Sequence, residues 1–290
     1  MTMTRPGTPD VHVTAAAPPP ELRFRRPFDL QRFLRELWRA RGLMRTLTER
    51  DLRARYKQAM LGVAWAFIGP VGFAVVFSVF FNHVAKVPTG NVPYILFSYT
   101  GLIPWGFFAG GVVSGATAVM NNIVLLNKVP CPREVFPISA IATALVDSAI
   151  SALVLPIMFI VLGRAPQWAS LWFPVVFIVH LAITLGWALL LAGVLMYVRD
   201  VRHGLPLLMQ LLLFATPVGY ALSSVPSSLV NIYCVLNPIA PVIDNYRRTI
   251  LYGFAPDWPH LGLAAAHGLA VLLGGYALFK RIEPGFADVA

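Results

Sequence analysis

From residue 61 onward the chain is a succession of long apolar stretches separated by short polar loops, and most of its basic residues precede that point. A helix needs about 20 apolar residues to cross a bilayer, because the hydrocarbon offers no water to the backbone amides and each must be bonded within the segment. Six stretches qualify: 61–85, 94–120, 138–162, 171–198, 205–223 and 261–279. A hydrophobic share of 57%, a charged share of 12% and a mean hydropathy of +0.68 are far from those of a soluble domain of 290 residues. A soluble helical protein would need an amphipathic outer layer, and only the N-terminal region offers one. The expected fold is an all-α integral membrane protein with six transmembrane helices.

With the N-terminus in the cytosol, alternating spans place all 23 Lys and Arg on the cytosolic side except Lys86, Arg164, Arg247 and Arg248. Cationic loops resist transfer across the membrane, so this asymmetry predicts that both termini are cytosolic in a multi-pass protein of the cytoplasmic (inner) membrane. The net charge of +10 then faces anionic membrane lipids, and no nucleic acid is needed to account for it. No apolar signal segment opens the chain, so the first span is expected to direct insertion. Residues 1–20 are Pro, Thr and Ala rich and read as a disordered tail, followed by an interfacial region over 21–58 and a membrane domain over 59–290. Cys131 and Cys234 fall on opposite sides and should not pair.

Between residues 27 and 57 the pattern is helical but too polar to span. Leu30, Phe33, Leu34, Leu37, Trp38, Met44 and Leu47 recur at spacings of three, four and seven, with Arg32, Arg35, Arg39, Arg45 and Arg50 elsewhere. Such a helix is expected to lie in the interface, apolar side in lipid and arginines at the phosphates. Asp29 reads as an N-cap, and Thr48 with Asp51 as the start of a second helix. Two roles are open, a membrane anchor or a lever that carries force from a partner into the first span.

Motifs of catalysis are missing. The chain has no G-x-x-x-x-G-K-[ST] loop, no G-x-S-x-G elbow, and no His or Cys cluster at metal spacing. Asp147 stands alone in the third span, where an ionisable group is costly, so it is expected to face protein or water, with Ser148 and Ser151 bonding to a neighbouring helix. In the second span, Gly106 and Gly110, then Gly111 and Gly115, have the four-residue spacing that lets helices approach closely. Pro70, Pro156 and Pro217 should kink or open their spans. The segment 224–260 is rich in Pro, Asn and aromatics yet partly apolar. Residues 230–236 and 241–252 read as short helices of a re-entrant gate on the outside.

These residues carry a family resemblance. Glu49-Arg50-Asp51-Leu52-Arg53-Ala54-Arg55-Tyr56-Lys57-Gln58 with Leu61-Gly62 and Trp65-Ala66 resembles the entry to the first span of ABC-2 type permeases that export polysaccharides, the Wzm-like O-antigen subunits and their teichoic-acid counterparts. Lys128-Val129-Pro130 with Pro132-Arg133-Glu134-Val135 resembles their first cytosolic coupling loop, and Tyr197 to His203, including Arg199, Asp200 and Arg202, the second. Asn237-Pro238, Pro241 and Tyr246-Arg247 resemble the extracellular gate, and Glu283-Pro284 the cytosolic tail. The resemblance implies a homodimer paired with two copies of a separate ABC ATPase, which binds ATP and magnesium, so that this chain needs no cofactor or metal. It also implies a polyprenyl-diphosphate-linked polysaccharide as cargo, and it favours the lever role for Arg50, Asp51, Arg53, Tyr56 and Lys57.

A sugar polymer can slide over aromatic faces that contact its C–H groups without holding any one unit tightly. Trp65, Phe73 and Phe77 in the first span, and Phe214 and Tyr220 in the fifth, are candidates for the channel lining. At the outer end, Ile243, Ile250 and Leu251 are expected to occlude the pathway while Tyr246 and Arg247 meet the arriving chain, or Arg247 binds outer-leaflet lipid. Two other functions are weighed: an ABC-2 permease for a drug or small lipid, and a membrane-embedded enzyme of lipid-linked sugars. The enzyme requires clustered acidic or metal-binding residues, which the chain lacks.

Overall fold

The structure, a computed structural model, describes residues 30–57, 62, 64–84, 87–128 and 131–286. The described residues form helices and loops with no strand. In chain order the helices are α1 (Leu30–Arg39), α2 (Arg41–Tyr56), α3 (Ala64–Phe77), α4 (Tyr94–Asn121), α5 (Ile123–Lys128), α6 (Val135–Ala152), α7 (Val154–Val161), α8 (Phe173–Tyr197), α9 (Val201–Ala215), α10 (Val230–Leu236), α11 (Ile239–Ile250) and α12 (Trp258–Ile282). The predicted tail and Asp29 lie outside the described residues.

Among the described residues, five segments are long and apolar enough to cross a membrane: Ala64–Phe81, Tyr94–Asn121, Val135–Val161, Trp168–Tyr197 and Trp258–Gly285. They coincide with five of the six stretches read from the sequence. The first continues from α3 into a π-helical turn over Ser78–Val84. The third bends at Leu153, three residues before Pro156, because a helical proline removes a donor and its ring collides with the preceding turn.

The predicted fifth span differs. Its helix, α9, stops at Ala215 after 15 residues, too short to cross a bilayer alone. Thr216 is extended (φ −101°, ψ 144°), as the steric demand of Pro217 on its predecessor requires. The chain then runs without regular helix to α10, apart from one 3₁₀ turn at Leu222–Ser224. The two short helices are present; the second begins at Ile239, two residues earlier than expected.

α4 lies at the centre, contacting α3, α6, α8 and α11. Lipid is as apolar as a leucine side chain, so burial does not drive these helices together and close backbone approach must do so. Gly111 and Gly115 face α8: a β-carbon on them would come within 2.8 Å of Thr184 and 2.7 Å of Ala188. A β-carbon on Gly106 or Gly110 would meet no neighbouring helix within 4 Å. The tightest crossing joins α8 and α12, where a β-carbon on Gly186 would lie 2.6 Å from the Leu272 nitrogen, and one on Gly275 2.6 Å from the Gly186 carbonyl oxygen.

The two ends of the bundle are differently built. One gathers α2, α5, the turn at 131–134, the loop 198–200 and residues 280–286. The other gathers 87–93, 162–172 and 216–257, joined by bonds such as Gln167 N–H to the Ile250 carbonyl and Tyr252 hydroxyl to the Thr89 carbonyl.

Gly186→Ala should therefore cost about 1–3 kcal/mol, since the added methyl meets backbone that cannot move aside. Gly262→Ala, placed in open space on α12, should be near neutral. Thermal unfolding of the purified protein in detergent checks both, and equal melting temperatures would refute the crossing.

Candidate functional site

The end of α9 poses the hardest local problem. Five consecutive non-helical residues, 216–220, carry carbonyls that no helix satisfies, in a region four of them share with the core. Buried backbone acceptors without donors are costly. Side chains supply the donors. Arg247, on α11 and only 1% exposed, donates from Nη1 to the Pro217 carbonyl (2.6 Å) and the Tyr220 carbonyl (3.1 Å), from Nη2 to that of Val218, and from Nε to that of Phe97 (3.0 Å). Its guanidinium also lies 3.6 Å from the centre of the Phe97 ring. Tyr94 donates to the Gly219 carbonyl (2.6 Å). The Ala215 carbonyl accepts from Tyr233 (2.6 Å), Tyr220 (3.2 Å) and Asn237 (3.3 Å), and Asn237 also bonds the Thr216 hydroxyl (2.9 Å). Gly101 makes room for the arginine, because a β-carbon there would collide with it.

This geometry corrects the reading of Arg247 as a contact for cargo or outer-leaflet lipid: all its donors point into the protein. Tyr246 is buried too, its hydroxyl 3.4 Å from His180 Nδ1. Ile243 and Leu251 belong to the core, Pro238 is buried at the start of α11, and Ile250 packs against the same cluster. The expected gate motif is, in the protomer, the clamp that holds the broken end of α9. Cys234 is fully buried and would escape an aqueous thiol reagent.

At the end bearing α2, the expected coupling loop divides in two. The helix α5 ends at Lys128; Pro130 lies outside the described residues, and Pro132, Arg133 and Glu134 form a turn leading into α6. Arg133 and Glu134 face inward. Glu134, 1% exposed, pairs with Lys280, which also holds Glu283 (2.9 Å); Arg133 donates to the Glu283 carbonyl and stacks near Phe286. Burial pushes the Glu134 carboxyl up, and Lys280 draws it part of the way back. Exposed residues on this end include Lys128, Arg199, Asp200, Arg202 and His203.

α2 is packed against the bundle. Leu47 is buried against Val135 and Phe136, and α2 runs along α6. Thr48 sits mid-helix, bonded to the Met44 carbonyl, and the break between helices falls at Ala40. Where α2 ends, Arg55 and Tyr56 both reach Asp147. The lone carboxylate is thus held by the residues just before the first span, a pairing that spacing could not reveal because 91 positions separate Tyr56 from Asp147. Ser148 bonds the Ile103 carbonyl and Ser151 that of Ala66, tying α6 to α4 and α3. Arg50 pairs with Asp51, Arg53 with Glu49, and Lys57 is exposed.

Of the aromatic candidates, Trp65, Phe73 and Phe214 are exposed on the protomer. Phe77 is buried, its ring 6.4 Å from that of Phe214, and Tyr220 serves the clamp.

Two tests follow. Arg247→Ala should destabilise the protein by at least about 3 kcal/mol, since it strands several acceptors at about 1–3 kcal/mol each, and Tyr94→Phe by about 1 kcal/mol. A folded Arg247→Ala protein with wild-type melting would contradict the clamp. For the second contact, a double-mutant cycle of Arg55→Ala with Asp147→Ala should give a coupling of about 1 kcal/mol, small because half of Arg55 is solvent-exposed. Additive effects would remove the α2–α6 latch.

The ABC-2 type transporter family matches residues 42–251. The chain is 32% identical over 258 residues to the O-antigen export system permease protein RfbA of Myxococcus xanthus, covering 89% of this chain and 98% of that protein. It is 26% identical to a protein of the same name from Klebsiella pneumoniae over 85% of this chain and 94% of the other. The polysialic acid transport protein KpsM of Escherichia coli is 24% identical over 81% and 91%. With a membrane-spanning helical bundle and a family match over most of its length, the chain belongs to the ABC-2 type transporter family, as a permease subunit and not an enzyme in its own right.

Proposed function

We propose that this protein is the permease of a polysaccharide exporter of the O-antigen type, working as a homodimer with two copies of a separate ABC ATPase. The observation that carries this reading is the near end-to-end similarity to an O-antigen export permease. The cargo would be a polymer linked to a polyprenyl diphosphate in the cytoplasmic membrane. Both termini would face the cytosol, since the end that gathers α2, α5 and residues 198–203 holds most of the described Lys and Arg.

In this reading Lys128, Arg199, Asp200 and Arg202 form the surface offered to the ATPase, whereas Arg133 and Glu134 carry its motion to the end of α12. Tyr56 and Arg55, gripping Asp147, would carry it to α6 and into the first span. The exposed aromatics of α3 and α9, Trp65, Phe73 and Phe214, would face the pathway where two copies meet, giving the sliding surface a sugar chain needs. Teichoic-acid, capsule and galactan polymers share that chemistry. A drug or small-lipid cargo would not need such a continuous aromatic face.

Deleting the gene should abolish surface display of the cell's lipid-linked polysaccharide and leave undecorated polymer inside; display unchanged by the deletion would overturn the reading. Lys128→Glu with Arg202→Glu should reduce copurification of the ATPase about tenfold without lowering the melting temperature, as both side chains are exposed. Glu134→Lys should instead lower the melting temperature, by placing like charge against Lys280.

A further inference from the structure

At the end of the bundle opposite α2, a cavity of about 840 Å³ opens between the loop 88–90, the serine-bearing loop 221–227, the end of α11 and the start of α12. Its size is that of a pocket for a ligand of several rings. The walls are tied to one another rather than loosely apposed. Tyr252 donates to the Thr89 carbonyl (3.1 Å), and the Asp257 N–H donates to Asn245 Oδ1 (2.7 Å). Such cross-bracing fixes the cavity before any ligand arrives.

The lining combines two kinds of group. Asp244, Arg248, Asp257 and His260 supply donors and acceptors, while Tyr252 and Phe254 supply ring faces. His260 is set by Asp257 (2.8 Å). Arg248 is set by the Ala255 carbonyl (2.6 Å) and by Phe254, whose ring centre lies 5.4 Å from the guanidinium. Two carboxylates against one guanidinium disfavour phosphate, sulfate and carboxylate ligands. Carboxylates and a guanidinium are, however, strong partners for hydroxyls, which both donate and accept, and the ring faces match the C–H faces of a pyranose.

We infer that this cavity is a saccharide-binding site, selective for neutral sugar units, that receives the polymer as it leaves the pathway. The inference rests on the export reading above and adds a cargo class to it. The clamp on α9 and the cavity share α11: Arg247 faces the broken helix while Asp244 and Arg248 face the cavity. A bound sugar would therefore press on the same short helix that holds the end of α9.

Trp258 adjoins Asp257, is half exposed and stands edge-on to Trp172 at 5.1 Å, so its emission reports on the cavity rim. Purified full-length protein in detergent is titrated with two probes: polysaccharide released by mild acid from the producing cell's surface, and an oligomer of sialic acid. The first should quench saturably, with half-saturation raised tenfold or more by Arg248→Ala and by Asp257→Asn, and unchanged by Arg164→Ala, which lies in a different cavity at this end. Trp258→Phe should abolish the signal. The second probe should give no saturable response. Absence of saturable binding of the first probe, equal binding in both variants, or equal affinity for the sialic acid oligomer would overturn the inference. Those results leave the export reading standing if gene deletion still removes the surface polymer, whereas a deletion without effect on display would defeat the export reading itself.

Discussion

A helix interrupted within an apolar environment must find donors for every carbonyl it leaves open, and the structure around α11 is organised by that requirement. Pro217 ends α9 after 15 residues. Arg247, Tyr94, Tyr233 and Asn237 then satisfy the carbonyls of 215 and 217–220, and the Val218 N–H that of Thr216. The consequences extend outward. Gly101 must be glycine to admit the guanidinium, α11 must lie against α4 to deliver it, and α10 must bring Tyr233 and Asn237 to the same place. A charge so deep is tolerated because its donors meet carbonyl dipoles and a ring face at once.

Charge is used in the same way at the opposite end. Arg133, Glu134, Lys280 and Glu283 form a network that joins the turn before α6 to the end of α12. α12 is locked in turn to α8 by backbone contact at Gly186 and Gly275. A push on the turn at 131–134 has few soft elements to absorb it before it reaches α8 and, through Gly111 and Gly115, α4. The Arg55 and Tyr56 contacts with Asp147 give a second rigid connection, from the segment before the first span to the middle of α6. In the proposed export reading, where the driving force comes from a separate subunit, stiff links between one end and the spans are what transmission needs.

Much of the bundle was legible in the sequence because it follows from length and polarity alone. Five spans were recognisable since a long uncharged apolar run has few alternatives to a membrane helix, and the two short helices, read at 230–236 and 241–252 and found at 230–236 and 239–250, stood out between polar breaks. The small-residue pairs were half right: Gly111 and Gly115 meet a partner helix, Gly106 and Gly110 do not, and the tighter pair Gly186 and Gly275 lies on two different helices with no spacing to betray it. The motif residues Arg133, Glu134 and Arg247 stood out in the sequence, but their partners did not: Arg133 and Arg247 donate to backbone carbonyls and Glu134 pairs with Lys280. A charged residue in a loop reads as exposed until its partner, 30 to 150 positions away, is known.

The amino-acid sequence by itself determined that this chain is a helical membrane protein, which side its cations favour, and which family it resembles, because each depends on composition and order along the chain. Tertiary structure alone decided where the polar groups point. Asp147 acquires Arg55 and Tyr56, Glu134 acquires Lys280, and Arg247 turns inward to the carbonyls of a broken helix. The physical reason is that desolvation makes a buried charge or a bare carbonyl intolerable without a partner, and the nearest suitable partner is set by packing in three dimensions rather than by distance in sequence.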